Sequence, residues 1–177
     1  MTRNCHIVLL AAFVLSAGML CAETVVQNIH NLYNNGNGPL VVTNSNKTGT
    51  TDFVTYTCSG GTAQFSSSSA SNYKVSIFLT GSGAKVETTP ITGLDSLTIY
   101  YLPLPDANKT INVNTKEGDG EWTSQTVVPL MNGVKAIKMP HVGDYALQIL
   151  RGADVYITQI DYTVKSSCNC LRVTIEE

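Results

Sequence analysis

The fold is decided by a stretch that reads Leu97-Thr-Ile-Tyr-Tyr-Leu102, then Ile111-Asn-Val-Asn-Thr115, then Glu117-Gly-Asp-Gly-Glu-Trp122 and Thr123 to Val128. In the first two segments apolar and polar residues alternate, which is typical of a strand with one buried and one solvated face. The Gly-Asp-Gly sequence in the third segment supplies residues that tolerate the positive φ of a tight hairpin. The stretch therefore predicts paired strands of an antiparallel sheet.

Further short strands are predicted on both sides of this stretch, and turn residues rich in Gly, Pro and Asn separate them. They cover residues 23–32, 40–43, 52–57, 62–65, 73–79, 134–139, 145–150, 155–164 and 171–175, and residues 86–90 lead into the central stretch. In the segment 155–164 the apolar phase changes, so we expect a β-bulge near Thr158 and Gln159. No helix is predicted in this part of the chain. The pattern indicates an all-β protein, an antiparallel β-sandwich.

The first residues are typical of a secretory signal peptide. Arg3 precedes an apolar run from Ile7 to Val14 that is too short to span a bilayer, and small residues follow it. We predict cleavage after Ala22, which leaves residues 23–177 as one β-sandwich domain. The alternative is a lipoprotein signal that anchors the chain at the cell surface through Cys21, although Met19 and Leu20 are bulky for that signal. The expected location is therefore extracellular, and no later segment is apolar for long enough to span a membrane.

Composition narrows the choice of partner. Arg3 is the one charged residue of the predicted signal peptide, so 10 basic and 13 acidic residues follow it. This small negative balance argues against nucleic acid or an anionic membrane as the partner.

The cysteines that follow the predicted signal peptide are Cys58, Cys168 and Cys170. Cys168 and Cys170 are too close to bridge each other without strain, so we expect Cys58 to pair with one of them if a disulfide forms. A metal site built on these thiols would need further ligands, and His30 and His141 lack the spacing for that role. We therefore expect no bound metal.

Several segments resemble the accessory β-sandwich modules of secreted bacterial proteins, which occur beside pectate lyases and other polysaccharide-degrading enzymes. The resemblance lies in Val86 to Tyr101, in Ile111-Asn-Val-Asn-Thr115, in Trp122 and in Ala153 to Tyr162. It implies a galactose-binding-like or jelly-roll sandwich, similar to carbohydrate-binding modules, and it implies a glycan as the ligand.

Glycan modules stack sugar rings on aromatic side chains and bind the hydroxyl groups with polar ones. Tyr100, on the solvated face of its strand, and Trp122, beside the acidic turn, are the candidate aromatic residues, and Asp119 is the candidate polar one. For Trp122 the alternative is a packing role in the core or at its rim. Tyr101 and Tyr162 lie in the apolar phase and are expected in the core.

The turn has a second candidate use. Glu117, Asp119 and Glu121 alternate along it, and calcium prefers several oxygen ligands from one loop. Their spacing matches no complete calcium loop, so we expect a solvated hairpin tip and no cofactor.

An enzyme is the least favoured interpretation. The chain has no Gly-x-Ser-x-Gly elbow and no Gly-rich phosphate loop. Glycoside cleavage needs two carboxylates at a set distance from each other. Candidates are present at Glu87, Asp95, Asp144 and Asp161, but the sequence does not give the distances between them. We therefore predict a secreted, non-catalytic protein that binds a glycan or polysaccharide. The alternative is a structural or adhesive protein that binds another protein at the cell surface.

Overall fold

A computed structural model describes residues 20–33, 37–66, 75–106 and 108–167 of the chain. In these residues one short helix, α1 (Ile29–Tyr33), accompanies twelve strands, all paired antiparallel. The strands are β1 (Leu20–Asn28), β2 (Val41–Thr43), β3 (Thr48–Thr50), β4 (Thr55–Ser59), β5 (Gln64–Ser66), β6 (Ser76–Leu79), β7 (Lys85–Thr88), β8 (Ile91–Tyr101), β9 (Thr110–Glu117), β10 (Thr123–Pro129), β11 (Val134–Arg151) and β12 (Val155–Ser167). No helix in the described ranges is long and apolar enough to cross a membrane.

Hydrogen bonds connect all twelve strands into one continuous sheet, and the long strand β11 is shared by its two halves, which we treat as the two sheets of the sandwich. Residues 134–138 of β11 pair with β8, and Gly143 and Tyr145 pair with the first half of the same strand. Its residues 145–151 pair with β9, and its residues 148–150 pair on the other edge with β7. Between these parts the register with β8 shifts on both sides of Gly143, and such irregularities bend a strand. We call the sheet of β5, β6, β1, β12, β8 and the first part of β11 the front sheet. The back sheet contains β2, β3, β4, β7, the last part of β11, β9 and β10.

The two sheets press their apolar faces together. Along β8, Leu97, Ile99 and Tyr101 are buried, and along β9 Ile111 and Val113 are buried in the same way. The alternate residues of both strands face outward, as the period of two requires. The predicted antiparallel β-sandwich is therefore confirmed, as are the core positions of Tyr101 and Tyr162.

A pair of buried tyrosines joins the sheets at the centre of the core. Tyr56 lies on β4 of the back sheet and Tyr162 on β12 of the front sheet, and both are 0 % exposed. The hydroxyl of Tyr162 donates a hydrogen bond to the hydroxyl oxygen of Tyr56 over 3.2 Å. Burial, more than any other cause, raises the pKa of both phenols well above the usual value. Both side chains are consequently neutral in the folded protein.

Most predicted strands are present, with several differences. Residues 134–139 and 145–150 form one continuous strand, because Pro140 and Gly143 bend β11 without ending it. Residues 48–50 form β3 in what we expected to be a loop, and residues 29–33 form α1 in place of the end of an edge strand. The predicted bulge in β12 is confirmed by a register shift between Ile157 and Gln159. The strand predicted at residues 171–175 lies outside the described residues.

The predicted pairing of Cys58 with a C-terminal cysteine is wrong. Cys58 is a free, buried thiol, because it shares the inward phase of β4 with Tyr56 and packs into the core. Burial raises the pKa of this thiol to about 12, although the charge of Lys47 opposes the shift. Cys21 is instead disulfide-bonded, and Cys168 and Cys170 lie outside the described residues.

The tyrosine pair predicts a loss of stability at alkaline pH. In the unfolded chain a tyrosine ionises near pH 10, whereas the folded protein keeps Tyr56 and Tyr162 protonated beyond that pH. Their contribution to stability is therefore complete below pH 10 and declines above it, by about 1.4 kcal/mol per pH unit for each tyrosine. Urea unfolding between pH 8 and pH 11.5 measures this decline.

The matched control is the double variant Tyr56→Phe/Tyr162→Phe, which removes both ionisable groups but keeps the rings. Its free energy of unfolding is expected to fall much less steeply above pH 10. Equal slopes for the double variant and the natural protein would contradict the central position of the pair.

Candidate functional site

The β9–β10 hairpin contains the acidic turn from Glu117 to Trp122 that was identified in the sequence. Thr123 pairs with Thr115 at the base of the turn, and the amide of Gly120 donates to the carbonyl oxygen of Glu117 over 3.0 Å. Gly118 has a φ of +52°, a conformation that favours glycine. The turn leaves Asp119 exposed at the tip.

A cleft lies between this hairpin and the bend of β11, and we call it the hairpin cleft. Its volume is about 360 Å³. Its lining residues are mostly polar: Thr115, Glu117, Gly120, Glu121, Thr123, Gln125, Pro140, His141 and Tyr145. Carboxylate, amide, hydroxyl, imidazole and phenol groups therefore meet in one concavity.

Three of the lining side chains form a connected group. Nε2 of His141 lies 2.9 Å from Oε1 of Glu117, and the hydroxyl of Tyr145 lies 3.2 Å from the same nitrogen. Burial, followed by the negative charge of Glu117, raises the pKa of the Tyr145 phenol. The phenol is thus protonated at neutral pH and has a proton to donate.

Gly143 leaves the space that this group needs. A Cβ atom at position 143 would lie 2.9 Å from Oε1 of Glu117 and 3.1 Å from Cε2 of Tyr145, closer than side chains normally approach. Gly143 also lies at the register shift between β11 and β8. The bend of β11 and the arrangement of the cleft therefore depend on the same residue.

Trp122 is half-buried and lies at the same end of the hairpin. The ammonium group of Lys116 is 5.5 Å from the centre of its ring, a distance at which a cation and an aromatic ring attract each other. Lys116 alternates along β9 with Thr115 and Glu117, so its side chain leaves the opposite face of the strand. Trp122 is consequently beside the cleft but is not part of its lining.

A ladder of polar side chains crosses the outer face of the back sheet next to Lys116. Asn114 donates to Gln148 over 2.9 Å, and Gln148 donates to Oε1 of Glu87 over 2.6 Å. Lys85 reaches the same carboxylate oxygen at 2.8 Å. Burial alone would raise the pKa of Glu87, but the hydrogen bonds from Lys85 and Gln148 hold it below its usual value. The carboxylate is therefore ionised, with Trp122 and Lys116 near one end of the ladder.

Tyr100 lies on the other sheet. It faces outward from β8, as predicted, and its phenol lies near the carboxylate of Asp161 on β12. Nε2 of Gln159 donates to Asp161 over 2.8 Å, and Asn28 donates to Gln159 over 2.8 Å. Partial burial and the charge of Asp161 raise the pKa of Tyr100.

The structure thus divides the three predicted ligand-binding residues into two places. Trp122 and Asp119 share the hairpin turn of the back sheet, and Tyr100 belongs to the front sheet. Sequence reasoning missed Gln125 and Tyr145 as lining residues and treated His141 as a plain surface histidine. Gln125 lies at the register shift of β10 between Ser124 and Thr126, so alternation along that strand does not give its face. The approach of His141 depends on a long-range pairing.

The acidic residues have separate partners. In the described ranges no group of three or more His, Cys, Asp or Glu side chains is placed to hold a metal ion. Lys138 and Lys165 contact Asp95, and the Asp144 carboxylate accepts a hydrogen bond from the amide of Gly93.

No family model matches the chain, and the search of curated proteins finds no relative. Solved structures do show a similar arrangement of strands. They include a family two carbohydrate esterase from Cellvibrio japonicus, with 13 % identity and a TM-score of 0.45, over 86 % of this chain and 37 % of the esterase.

Two further solved structures are matched over most of their own length. A protein of the Ruminococcus flavefaciens cellulosome matches with 14 % identity and a TM-score of 0.40, over 80 % of this chain and 94 % of its own. A low-affinity xylan-binding module from Roseburia intestinalis matches with 13 % identity and a TM-score of 0.41, over 72 % of this chain and 96 % of the module. These structures assign no ligand to this chain.

The position of Lys116 over Trp122 predicts a charge effect on fluorescence quenching. Trp122 is the single tryptophan of the protein, so its emission reports this one site. A cation near the ring attracts iodide, and Lys116→Gln is therefore expected to lower the iodide quenching constant by about a factor of two at low salt.

Quenching by neutral acrylamide serves as the control for changed access to the ring. The acrylamide constant is expected to change much less than the iodide constant. An equal change in both constants would contradict the prediction, because it would show that Lys116 alters only the access to the ring and that its charge has no effect on quenching.

Proposed function

We propose that this protein is a secreted, non-catalytic binding module that recognises a glycan or polysaccharide at the end of the β9–β10 hairpin. The observation that carries the proposal is the hairpin cleft, a concavity of about 360 Å³ that is lined mainly by polar residues, directly beside the single tryptophan. Small-ligand sites are concave and contain a few convergent polar groups.

The cleft offers the hydrogen-bond partners that a sugar requires. A sugar hydroxyl both donates and accepts, so it needs acceptors such as the Glu121 carboxylate and donors such as the amide of Gln125. Glu117 and His141 already hold each other at 2.9 Å. Their remaining lone pairs and the Tyr145 hydroxyl give further contacts without rearrangement of the wall.

Trp122 supplies the apolar contact. Gly120 and Glu121 line the cleft, and Trp122 is the next residue along the chain. A glycan that extends from the cleft across the turn passes Trp122 or Asp119. A sugar ring can lie on the indole of Trp122, and a sugar hydroxyl can reach the carboxylate of Asp119. Tyr100 is on the other sheet and, in this proposal, contacts a separate part of a long polysaccharide.

Removal of the indole is expected to weaken glycan binding. Plant and host polysaccharides on an array, followed by calorimetry with the best ligand, identify the glycan and its dissociation constant. Trp122→Ala is then expected to raise this constant at least tenfold, equivalent to about 1.4 kcal/mol. Glu121→Gln should have a comparable effect, because hydrogen bonds to charged groups contribute about 1.5–3 kcal/mol.

Tyr100→Ala provides the matched control, since it removes an outward aromatic ring from the front sheet. Its effect is expected on long polysaccharides and not on short oligosaccharides that fill the cleft. Unchanged circular dichroism would establish that each variant keeps the fold. If folded Trp122→Ala and Glu121→Gln both bind the glycan with unchanged affinity, the proposed site is wrong.

A protein partner at the cell surface is the second candidate function. Val127 on β10 and Met131 just after it are 56 % and 49 % exposed. Among the described strands β10 pairs with β9 alone, so one of its edges is open to another chain. Two results together would favour this function. The protein would not be retained on any polysaccharide, and it would capture an envelope protein in an interaction that Val127→Lys abolishes.

A further inference from the structure

A second concavity lies at the opposite end of β9 from the hairpin cleft, and we call it the basic pocket. Its volume is about 270 Å³. β9 extends from Thr110 to Glu117, so about 24 Å of strand separates the two sites, and a short ligand occupies one or the other. The lining comes from the segment before β9 and from the turn between β11 and β12: Leu104, Lys109, Arg151, Gly152, Ala153 and Asp154.

Backbone hydrogen bonds hold the walls of the basic pocket in place. The amide of Leu104 donates to the carbonyl oxygen of Leu130 over 2.8 Å, and the amide of Leu130 donates to the carbonyl oxygen of Lys109 over 2.8 Å. On the other side, the amide of Ala153 donates to the carbonyl oxygen of Thr110 over 2.9 Å. The pocket is therefore formed before any ligand enters, as small-ligand sites usually are.

Gly152 brings the turn between β11 and β12 close to β9. A Cβ atom at position 152 would lie 2.6 Å from the carbonyl oxygen of Thr110 and 2.8 Å from its Oγ1, closer than side chains normally approach. The backbone of the turn consequently lies directly against the start of β9. This contact places Arg151 and Asp154 in the same concavity as Lys109.

Asp154 orients the guanidinium group of Arg151. Nε of Arg151 donates to Oδ1 of Asp154 over 2.7 Å, and this bond, more than any other cause, holds the pKa of the Asp154 carboxyl group below its usual value. Within the described part of the chain no hydrogen bond involves the two Nη groups of Arg151. Their N–H donors are therefore available to a ligand while Asp154 holds the group from the side.

The charges of the basic pocket favour an anion. Arg151 and Lys109 carry two positive charges, against the one negative charge of Asp154 among the lining residues. Asp106 is close in sequence, but its carboxylate accepts a hydrogen bond from the amide of Asn108 over 2.9 Å and is not part of the lining. The side chain of Arg151 is only 28 % exposed, so salt screens its charge less than that of a fully exposed residue.

We propose that the basic pocket binds the oxyanion of an acidic sugar, either a carboxylate or a sulfate ester. The planar guanidinium group presents paired N–H donors to two oxygens of such a group, and the Lys109 ammonium adds a second positive charge. Leu104 and Ala153 contribute the apolar part of the wall, against which the sugar ring lies. The hairpin cleft suits this ligand less well, because the lining residues described for it include the carboxylates of Glu117 and Glu121 and no lysine or arginine.

Nuclear magnetic resonance titration of the isotope-labelled protein tests the proposal residue by residue. The charged probes are a galacturonic acid trimer and a sulfated galactose, and the neutral controls are the methyl-esterified trimer and galactose. At least one charged probe is expected to shift the amide signals of Gly152 and Ala153, and the probe that does so tells a carboxylate from a sulfate ester. Its neutral control should bind about tenfold more weakly, because it has lost the charge that the guanidinium group recognises.

Charge-neutral variants show whether the basic pocket is the site. Lys109→Gln is expected to raise the dissociation constant of the charged probe about threefold, since its ammonium is exposed, and Arg151→Gln about tenfold. Lys135→Gln is the matched control, because it removes the same charge from an exposed position outside the lining and should leave the constant unchanged. Signals far from the pocket show whether each variant is folded.

The outcomes separate this inference from the proposed function. Equal affinity for the charged and the neutral probes, or an equal loss of affinity in Lys109→Gln and Lys135→Gln, would overturn the inference. Shifts at Gly120 and Thr123 in place of Gly152 would also overturn it, and they would support the hairpin cleft as the glycan site. If neither charged probe binds, the inference is wrong and the proposed function stands untouched, because it depends on a different pocket.

Discussion

The structure depends on the sharing of one strand, β11, between the two sheets. Its first part is hydrogen-bonded to β8 in the front sheet, and its last part lies between β7 and β9 in the back sheet. The sheets are therefore connected through a backbone as well as through the side chains of the core. A change in the path of β11 moves strands on both sides of the sandwich.

The hairpin cleft is a consequence of this path. Where β11 leaves the front sheet, the segment from Pro140 to Tyr145 bends toward the end of β9. The bend brings His141 and Tyr145 to Glu117, and Gly143 provides the space between them. A polar cleft beside Trp122 thus arises where the strand changes sheets, and its side chains are positioned by strands and not by a long loop.

The alternation of apolar and polar residues predicted the fold well because burial in a sandwich has the same period of two. It placed Tyr100 outward and Tyr101 inward, and it located the bulge in β12. It failed at β11, since Pro140 and Gly143 have the composition of a turn although the backbone continues through them. The division of Trp122 and Tyr100 between two sheets depends on strand pairings that no local pattern encodes.

The cysteine prediction failed for a related reason. The spacing of cysteines does not tell which of them points into the core, and the inward phase of β4 keeps Cys58 away from any partner. The pairing of β1 with β12 brings Cys21 beside the end of the described chain instead. Similarly, the cleft residues His141 and Glu117 are 24 positions apart in sequence, and their contact follows from the register of β9 with β11.

Native-state hydrogen exchange of β11 tests the shared strand most directly. If β11 joins the two sheets into one cooperative unit, protected amides in residues 134–139 and in residues 145–150 should exchange with the same free energy of opening and the same dependence on denaturant. Opening of one half at lower free energy, while the other half stays protected up to global unfolding, would contradict this account.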